Sequence, residues 1–518
     1  ELNKMAAIIT EKFRTHNARQ FREDFAETDG PSDNINSSVY VFIGRSHSWT
    51  DDNDPPAPAN SESEVIGAYE DMIALKRVGI TDVSHGLVRY NWTSGTTYDE
   101  YRHDYSSTNQ TPATNQSNFF DGRGYVITED FRVYKCLRTG VNSSGTPVGS
   151  TVKPDTVSTT VPQVTSDSGA ASGRGYMWKF MYTIGASDVI KFVTNDFIPV
   201  KTLGAKAGVV GQGTNGHFGS TATNDGSAQF DVETAAVDGA IYHYQVTAGG
   251  SNYTLSSGSS VNLKVRGDGS GAVATLNFDG GALKSVTFKD SSSFGSGYKR
   301  ASFPTISSAI ASGEYDTGSA TITGGSGATI NPIISPINGH GADPIEELGG
   351  NYVVVNSRLE FSESAGGSDF PTDNDFRRIG LIKNPVQSSD STISSATTLS
   401  ATQQVTVDNA ATLSVDDVIT NASSETATTA KARIVSKTGN VLKLLPVVNN
   451  LGEYVNFANE NSIFKDGSDT NVDVSSSGVS SAHPEMTRFT GQILYVENRG
   501  AVSRAADQIE DIKLIIEM

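Results

Sequence analysis

An acidic run is the first feature of this sequence that could do chemistry. It consists of Asp51, Asp52, Asn53 and Asp54. Carboxylate and amide oxygens are the ligands that Ca²⁺ prefers, so the run could hold a calcium ion. It lacks the glycine and the distal glutamate of an EF-hand loop, and Pro55 and Pro56 follow at once. The pattern therefore favours a solvated loop over a calcium site.

The histidines and the paired carboxylates show no catalytic or metal-binding spacing. The eight histidines are His16, His47, His85, His103, His217, His243, His340 and His483. None has HxxxH spacing, and neither HExxH nor GxSxG occurs. Paired carboxylates such as Glu346 and Glu347 are expected in any acidic chain. We therefore predict surface or loop histidines, no catalytic, cofactor-binding or metal residues, no cofactor, and no enzymatic activity.

Glycine-rich loops at 267–271 and 324–327 resemble phosphate-binding loops only superficially. Neither is GxGxxG, and neither has the lysine and hydroxyl residue of a Walker A loop. We interpret their glycines as turn residues between strands. The Arg-Gly-Asp tripeptide at 266–268 is attributed to chance in a chain with 51 glycines. Cys136 is the only cysteine, which excludes an intramolecular disulfide, and its setting is that of an ordinary strand residue.

Composition and charge narrow the class of protein. The 518 residues carry a net charge of −19, and only 36% of them are hydrophobic. An acidic surface repels nucleic acid and anionic membranes. No stretch approaches the roughly 20 apolar residues of a membrane-spanning helix. The start of the chain carries Lys4, Glu11 and Lys12, so no signal peptide is expected. Many short strands joined by glycine- and serine-rich turns suit this composition.

Periodicity predicts a mainly β fold with a few helices, an α+β chain of several sandwich- or barrel-like modules. Helices are predicted over 4–27 and over 62–77, the second capped by Ser61 or Asn60. A long loop is predicted over 139–174. Strands are predicted at 39–43, 125–128, 131–135, 176–184, 403–407, 430–436, 441–447, 491–496 and 509–517. In the strand 176–184, Trp178, Phe180 and Tyr182 are expected on one face.

Changes in composition divide the chain into five segments. Residues 204–345 are rich in Gly, Ser, Thr and Ala and carry a weak repeat, in which Gly249–Tyr253 is echoed by Phe294–Tyr298 and Gly267–Ala272 by Gly324–Ala328. The amino-acid composition changes again over residues 386–483. We interpret these two blocks as inserted β modules. The remaining segments, 1–203, 346–385 and 484–518, are interpreted as parts of one core.

Those remaining segments resemble a known family. They are similar to the baseplate wedge subunit of T-even-like contractile-tailed phages (myoviruses), the subunit that forms a dimer within each wedge. The segments that carry the resemblance, in chain order, are Thr10–Thr15, Phe42–Ser46 with Trp49, Arg89–Trp92, Thr97–Asp99, Gly175–Trp178, Thr194–Ile198, Ile379–Pro385, Gly491–Arg499 and Ala505–Ile512. The blocks 204–345 and 386–483 have no counterpart in the shorter family members.

The resemblance implies a structural protein of the virion. The chain would be a homodimer in the tail baseplate, assembled in the host cytoplasm. It would clip other wedge subunits together and take part in the rearrangement that triggers sheath contraction. The matched Arg-Ser-x-x-Trp and Glu-Asn-Arg residues are expected to brace the fold. Three alternatives stay open: a tail-fibre or connector protein, a polysaccharide depolymerase, and a host-glycan-binding module within 204–345. For the last, Tyr242, Tyr244 and Tyr253 are the candidate aromatic shelf, and Trp49, Trp92 and Trp178 are interpreted as core residues.

Overall fold

A computed structural model of the chain describes residues 9–26, 37–105, 124–201, 229–360 and 369–518. The fold is mainly β, with 43% strand and 11% helix, several sheets and a small barrel. This confirms the predicted fold class. The helices in the described residues are α1 (Glu11–Glu23), α2 (Glu62–Asp71), α3 (Ala186–Phe192), α4 (Gln229–Thr234) and α5 (Pro344–Leu348), with short 3-10 turns at Ile80–Asp82 and Ser312–Glu314.

The strands are numbered in chain order. The first sixteen are β1 (Val39–Gly44), β2 (Met72–Val78), β3 (Val83–Val88), β4 (Tyr125–Ile127), β5 (Arg132–Arg138), β6 (Gln163–Val164), β7 (Met177–Thr183), β8 (Phe197–Val200), β9 (Ile241–Leu255), β10 (Ser260–Lys264), β11 (Arg266–Gly267), β12 (Ser270–Asp279), β13 (Ala282–Phe288), β14 (Phe294–Ser296), β15 (Ala301–Ser302) and β16 (Ile322–Ile334). The others are β17 (Tyr352–Glu360), β18 (Asn374–Lys383), β19 (Thr398–Ser400), β20 (Gln403–Val407), β21 (Val418–Thr420), β22 (Lys431–Thr438), β23 (Val441–Pro446), β24 (Ser462–Lys465), β25 (Ser468–Val479), β26 (Gln492–Arg504) and β27 (Ile509–Glu517).

The chain divides into two compact units. The first unit comprises Glu1–Ala18, Ser84–Val353 and Ile516–Met518, and the second comprises Arg19–Val83 and Val354–Ile515. These boundaries are not those of the five sequence segments. The division into core segments and insertions therefore stays a prediction.

A five-stranded antiparallel sheet forms the centre of the second unit, in the order β19-β2-β1-β18-β26. The predicted helix over 62–77 is correct only as far as Asp71, and its Ser61 cap is confirmed because the side chain accepts from the Glu64 amide. From Met72 the chain is strand β2. Its first four residues are completely buried between β1 and β19, so sheet pairing outweighs the helical pattern of the preceding residues.

A closed barrel also lies in the second unit, with the strand order β20-β23-β22-β21-β24-β25. Alternate side chains such as Val405, Val407, Leu442 and Leu444 fill its interior. The predicted strands at 403–407, 430–436 and 441–447 correspond to β20, β22 and β23. Closure pairs every strand with two neighbours, so the barrel leaves no free edge.

In the first unit, β4, β5, β7 and β6 form an antiparallel sheet in that order. The expectation that Tyr182 shares a face with Trp178 and Phe180 is wrong. Val133 pairs with Tyr182 and Tyr134 pairs with Phe180, so β7 has one extra residue at this point. Such a bulge redirects the side chains that follow it. Tyr182 accordingly packs in a different apolar cluster from Trp178 and Phe180.

The repeated segments of the glycine-rich block pair with one another. In β9 and β16, Ser251 faces Ser326 and Gly249 faces Ala328. The same register recurs in β14 and β12, where Ser296 faces Ser270 and Phe294 faces Ala272. Each copy of the repeat is therefore an antiparallel pairing between one motif of each kind.

Each pair of strands encloses a tyrosine. The Tyr253 hydroxyl accepts from the Ala328 amide and donates to the Ile306 carbonyl, both at 2.9 Å. Tyr298 is likewise buried, and its hydroxyl interacts with the Ala272 amide. A Cβ at Gly325 would lie 2.5 Å from the Cα of Tyr253, and one at Gly269 would lie 2.5 Å from the Tyr298 ring. The glycines are needed so that the backbone can approach these tyrosines.

The segment 139–174, predicted to be a long loop, is ordered around one buried carboxylate. The Asp167 side chain accepts from the Thr151 amide at 2.7 Å, the Val152 amide at 3.0 Å and the Tyr176 amide at 3.0 Å. Thr165 donates its hydroxyl to the same carboxylate. Burial alone would raise the pKa of Asp167, but these hydrogen bonds lower it below its ordinary value.

Replacing Asp167 with asparagine is expected to destabilise the first unit by about 2 kcal/mol at neutral pH, because buried amides lose a charged acceptor. The folded-state pKa is lowered, so this stabilisation is present above the ordinary aspartate pKa of about 4 and is lost as the pH falls through the folded value. Urea unfolding at neutral pH and at about pH 3 checks this. The variant should show a smaller loss on acidification than the parent.

Asp155→Asn is the matched control, since Asp155 is an exposed aspartate of the same loop. It should leave both the stability and its pH dependence unchanged. Equal behaviour of the two variants would contradict the role given to Asp167.

Candidate functional site

Two adjacent arginines of β18 are buried in the second unit. The side chains of Arg377 and Arg378 are each 5% exposed. Arg377 donates from Nε to both Asp52 oxygens at 3.0 Å and from Nη2 to Asp52 Oδ2 at 2.9 Å. It also donates to the Ser46 carbonyl and pairs with Asp375 at 3.1 Å. A buried charge is tolerated only with such partners.

Arg378 has a separate set of partners. Its Nη2 lies 2.6 Å from Glu64, its Nη1 lies 3.3 Å from Asp71, and its Nε donates to Asn498 at 3.0 Å. Arg45 pairs with the same Asp71 at 3.5 Å. Helix α2, strand β18 and strand β26 are thus joined through one guanidinium.

Trp49 completes this arrangement. The Arg45 guanidinium lies over the Trp49 ring, 3.7 Å from the ring centroid. The indole Nε1 of Trp49 donates to the Arg499 carbonyl at 2.8 Å. The neighbouring Asn498 donates to the Pro56 carbonyl at 2.9 Å. The Arg-Ser-x-x-Trp and Glu-Asn-Arg segments therefore bind each other. We call Arg45, Trp49, Asp52, Arg377 and Arg378 the arginine network.

The arginine network explains the acidic run at 51–54. Asp52 is the partner of Arg377, and that guanidinium lowers the pKa of Asp52. A cation site at this carboxylate would have to displace an arginine. The sequence alone did not reveal the pairing, because the two residues are 325 positions apart.

A cavity of the first unit has a volume of about 720 Å³. Its lining is acidic and aromatic and includes Glu100, Glu346, Glu347, Tyr101 and Tyr125. Glu346 pairs with Lys12 at 2.5 Å at the more exposed part of the lining. The adjacent glutamates, predicted to be ordinary acidic residues, thus occupy different environments.

Glu347 is buried beside His340. One oxygen lies 2.5 Å from His340 Nδ1, and the other accepts from the Gly341 amide at 2.7 Å. Burial alone would raise the pKa of Glu347, but His340 and these hydrogen bonds lower it. Burial also lowers the pKa of the nearby Lys135. Both Glu347 oxygens are therefore used to hold the 340–348 turn, and the pair is a structural clamp in this conformation.

One comparison with known proteins gives a match. Residues 7–204 match the family model Phage-Gp8, described as Bacteriophage T4, Gp8. The match covers less than half of the 518-residue chain, and it ends beside residue 203, where the sequence texture changes. It supports a structural role for the chain in the baseplate wedge of a phage tail. No curated protein matches the chain.

Two of the histidines differ from their predicted surface or loop positions, because His85 lies in β3 and His243 in β9, whereas His340 lies in a turn as predicted. His85, His243 and His340 are buried, the second beside Glu100 at 3.4 Å. His16 and His103 are exposed, His47 and His483 are partly buried, and His217 lies outside the described residues. Burial and nearby arginines lower the pKa of His47 to about 4. The partner of His243 comes from a distant segment of the sequence, so no local spacing predicts that pair.

The proposed aromatic shelf for glycans is wrong as a surface feature. Tyr242, Tyr244 and Tyr253 are all buried, because each ring belongs to an apolar cluster of the interior. Trp178 is fully buried, and Trp92 is partly buried with its indole donating to Ser150. Cys136 is buried in β5, where burial raises the pKa of its thiol.

All three residues of the Arg-Gly-Asp tripeptide have partners within the glycine-rich block 204–345. Arg266 pairs with Glu314 at 2.7 Å, and Asp268 accepts from the amides of Lys299 and Arg300. Gly267 pairs with Ala301 in a short ladder. The neighbouring glycines lie in paired strands and turns, as the structure of the repeat requires.

A cluster that the sequence did not reveal comprises Asp369, His483 and Glu485 in the second unit. Burial and the neighbouring Asp369 raise the pKa of Glu485, and burial together with Lys443 lowers the pKa of His483 to about 4. The prediction of no metal-ligand set considered local histidine spacing only.

Within the described residues, no helix is long and apolar enough to cross a membrane.

Replacing Asp52 with asparagine is expected to lower the melting temperature by at least about 3 °C, since Arg377 would stay buried without its main counter-charge. Differential scanning fluorimetry at neutral pH and low salt checks this. Asp54→Asn is the control, because Asp54 is exposed in the same run. If the two variants melt together, the arginine network does not depend on Asp52.

Proposed function

We propose that the chain is a non-enzymatic wedge subunit of a contractile-tail baseplate, which acts as a homodimeric clip between other wedge proteins. In this role it would hold its neighbours in register during assembly in the host cytoplasm. It would then move with them in the rearrangement that precedes sheath contraction. The observation that carries the proposal is the match of residues 7–204 to the Gp8 family.

The fate of the matched residues supports a structural role. Trp49, which lies within the matched range, contacts Arg378 of β18 and Arg499 of β26, and Arg45 of the same range packs on the Trp49 ring. The buried histidine–glutamate pair of the first unit likewise holds backbone. Each of these groups stabilises the fold of its own unit, as a structural role requires.

Exposed apolar side chains within the matched range are candidate partner contacts. Ile9 is 67% exposed, and Phe13 on α1 is 52% exposed. Large apolar side chains left in water are favourable anchors when a partner covers them. Obligate assemblies use such residues in large, partly apolar interfaces.

Binding to a host glycan through 204–345 stays a prediction. With the three tyrosines buried, it no longer has a named set of contact residues. The fibre, connector and depolymerase alternatives have no observation in the described residues that favours them over the wedge role.

Size-exclusion chromatography with light scattering tests the proposal. The chain alone should elute at twice its 54.8 kDa, and addition of the neighbouring wedge proteins from the same genome should give one larger complex. A monomer or trimer that ignores those proteins would contradict the clip.

The double variant Ile9→Ser, Phe13→Ser should weaken either the dimer or the mixed complex by about tenfold or more, through loss of apolar burial. Leu451→Ser is the matched control, because Leu451 is 60% exposed but lies outside the matched range. Equal effects of both variants would show that these residues do not mark the interface.

A further inference from the structure

Three potential metal ligands converge where the chain enters and leaves the barrel. Asp369 precedes β18, whereas His483 and Glu485 follow β25. One ligand atom from each of the three lies within 4.8 Å of the others. Asp369 is 4% exposed, and the other two are partly buried. The convergence therefore lies at a sheltered point rather than on an acidic surface.

Both carboxylates are held in place through one oxygen each. The Thr398 hydroxyl donates to Asp369 Oδ2 at 2.6 Å, and the Ser400 amide donates to Glu485 Oε2 at 2.7 Å. The two carboxyl groups also lie within hydrogen-bonding reach of each other, and a bound cation would take the place of that contact. Outer contacts of this kind orient ligands in metal sites.

His483 supplies an imidazole to the same cluster. Its Nδ1 is buried and has no hydrogen-bond partner within the described part of the chain. Its Nε2 lies 3.5 Å from the Lys443 ammonium, which projects from the outer face of β23 between the inward-facing Leu442 and Leu444. A buried ring nitrogen without a partner is costly, so this imidazole still has a nitrogen available to a ligand.

We propose that Asp369, His483 and Glu485 bind a divalent transition-metal ion such as Zn²⁺. One imidazole nitrogen and two carboxylate oxygens form a mixed donor set that Zn²⁺ accepts, with water completing the coordination. Two carboxylates face one ammonium here, so the cluster has a net negative charge that a divalent ion offsets. The site is structural: the ligands join the segment after the barrel to the segment that precedes β18, and Thr398 and Ser400 of β19 hold the two carboxylates.

Binding by the full chain, without a histidine tag and after chelator treatment, tests the proposal. Isothermal titration with Zn²⁺ alone should show one saturable site. His483→Ala and Glu485→Gln should each weaken binding by more than about tenfold. His16→Ala is the matched control, because His16 is exposed on α1, and it should bind as the parent does.

Lys443→Met keeps the proposal testable if the ligand variants fold poorly. Without the competing ammonium, this variant should bind Zn²⁺ more tightly than the parent, and Zn²⁺ should raise its melting temperature. The contrary result is a Lys443→Met chain that is destabilised and that Zn²⁺ does not rescue, which would identify Lys443 as the permanent counter-ion. Absence of saturable binding in both the parent and Lys443→Met would likewise overturn the metal site.

Discussion

The pair of buried guanidinium groups on β18 is the constraint on which the second unit depends. Removing two charges from water is strongly unfavourable, and the cost is offset only when every partner is in place. Those partners come from the loop after β1, from α2 and from β26. A misplaced loop or a slipped strand would leave an arginine buried without a carboxylate. The charges therefore select one arrangement of elements that apolar packing alone would not distinguish.

Local patterns in the sequence were sufficient to predict a strand or a helix cap where the residues of that segment alone determine its structure. The alternating runs that became β1, β4, β5, β20, β22 and β23 and the Ser61 cap are of this kind. Prediction failed where a distant segment decides. Residues 72–77 continue a helical pattern, yet β1 and β19 on either side make them a strand. A single bulged residue redirected Tyr182.

The candidate sites show the same limit more strongly. Asp52 looked like a solvated acid because its partner Arg377 lies on another strand, and His483 looked isolated because Asp369 is far away in the sequence. The three tyrosines of the glycine-rich block were read as surface rings. They are buried because their rings belong to apolar clusters of the interior, and the Tyr253 hydroxyl also accepts from a backbone amide. Glycine at position 325 lets the facing backbone approach Tyr253.

The path of the chain into and out of the barrel has a consequence for how such proteins diversify. β19 ends at Ser400 and β20 begins at Gln403, and the returning chain bonds to the departing one through Ser480 and Gln404 and through Glu485 and Ser400. The barrel therefore begins and ends at neighbouring positions in the structure. A domain with neighbouring termini can be exchanged for another with little strain on the rest of the protein. Recombination between related genes within the codons for these two connecting segments would replace the whole barrel and leave the register of the five-stranded sheet unchanged.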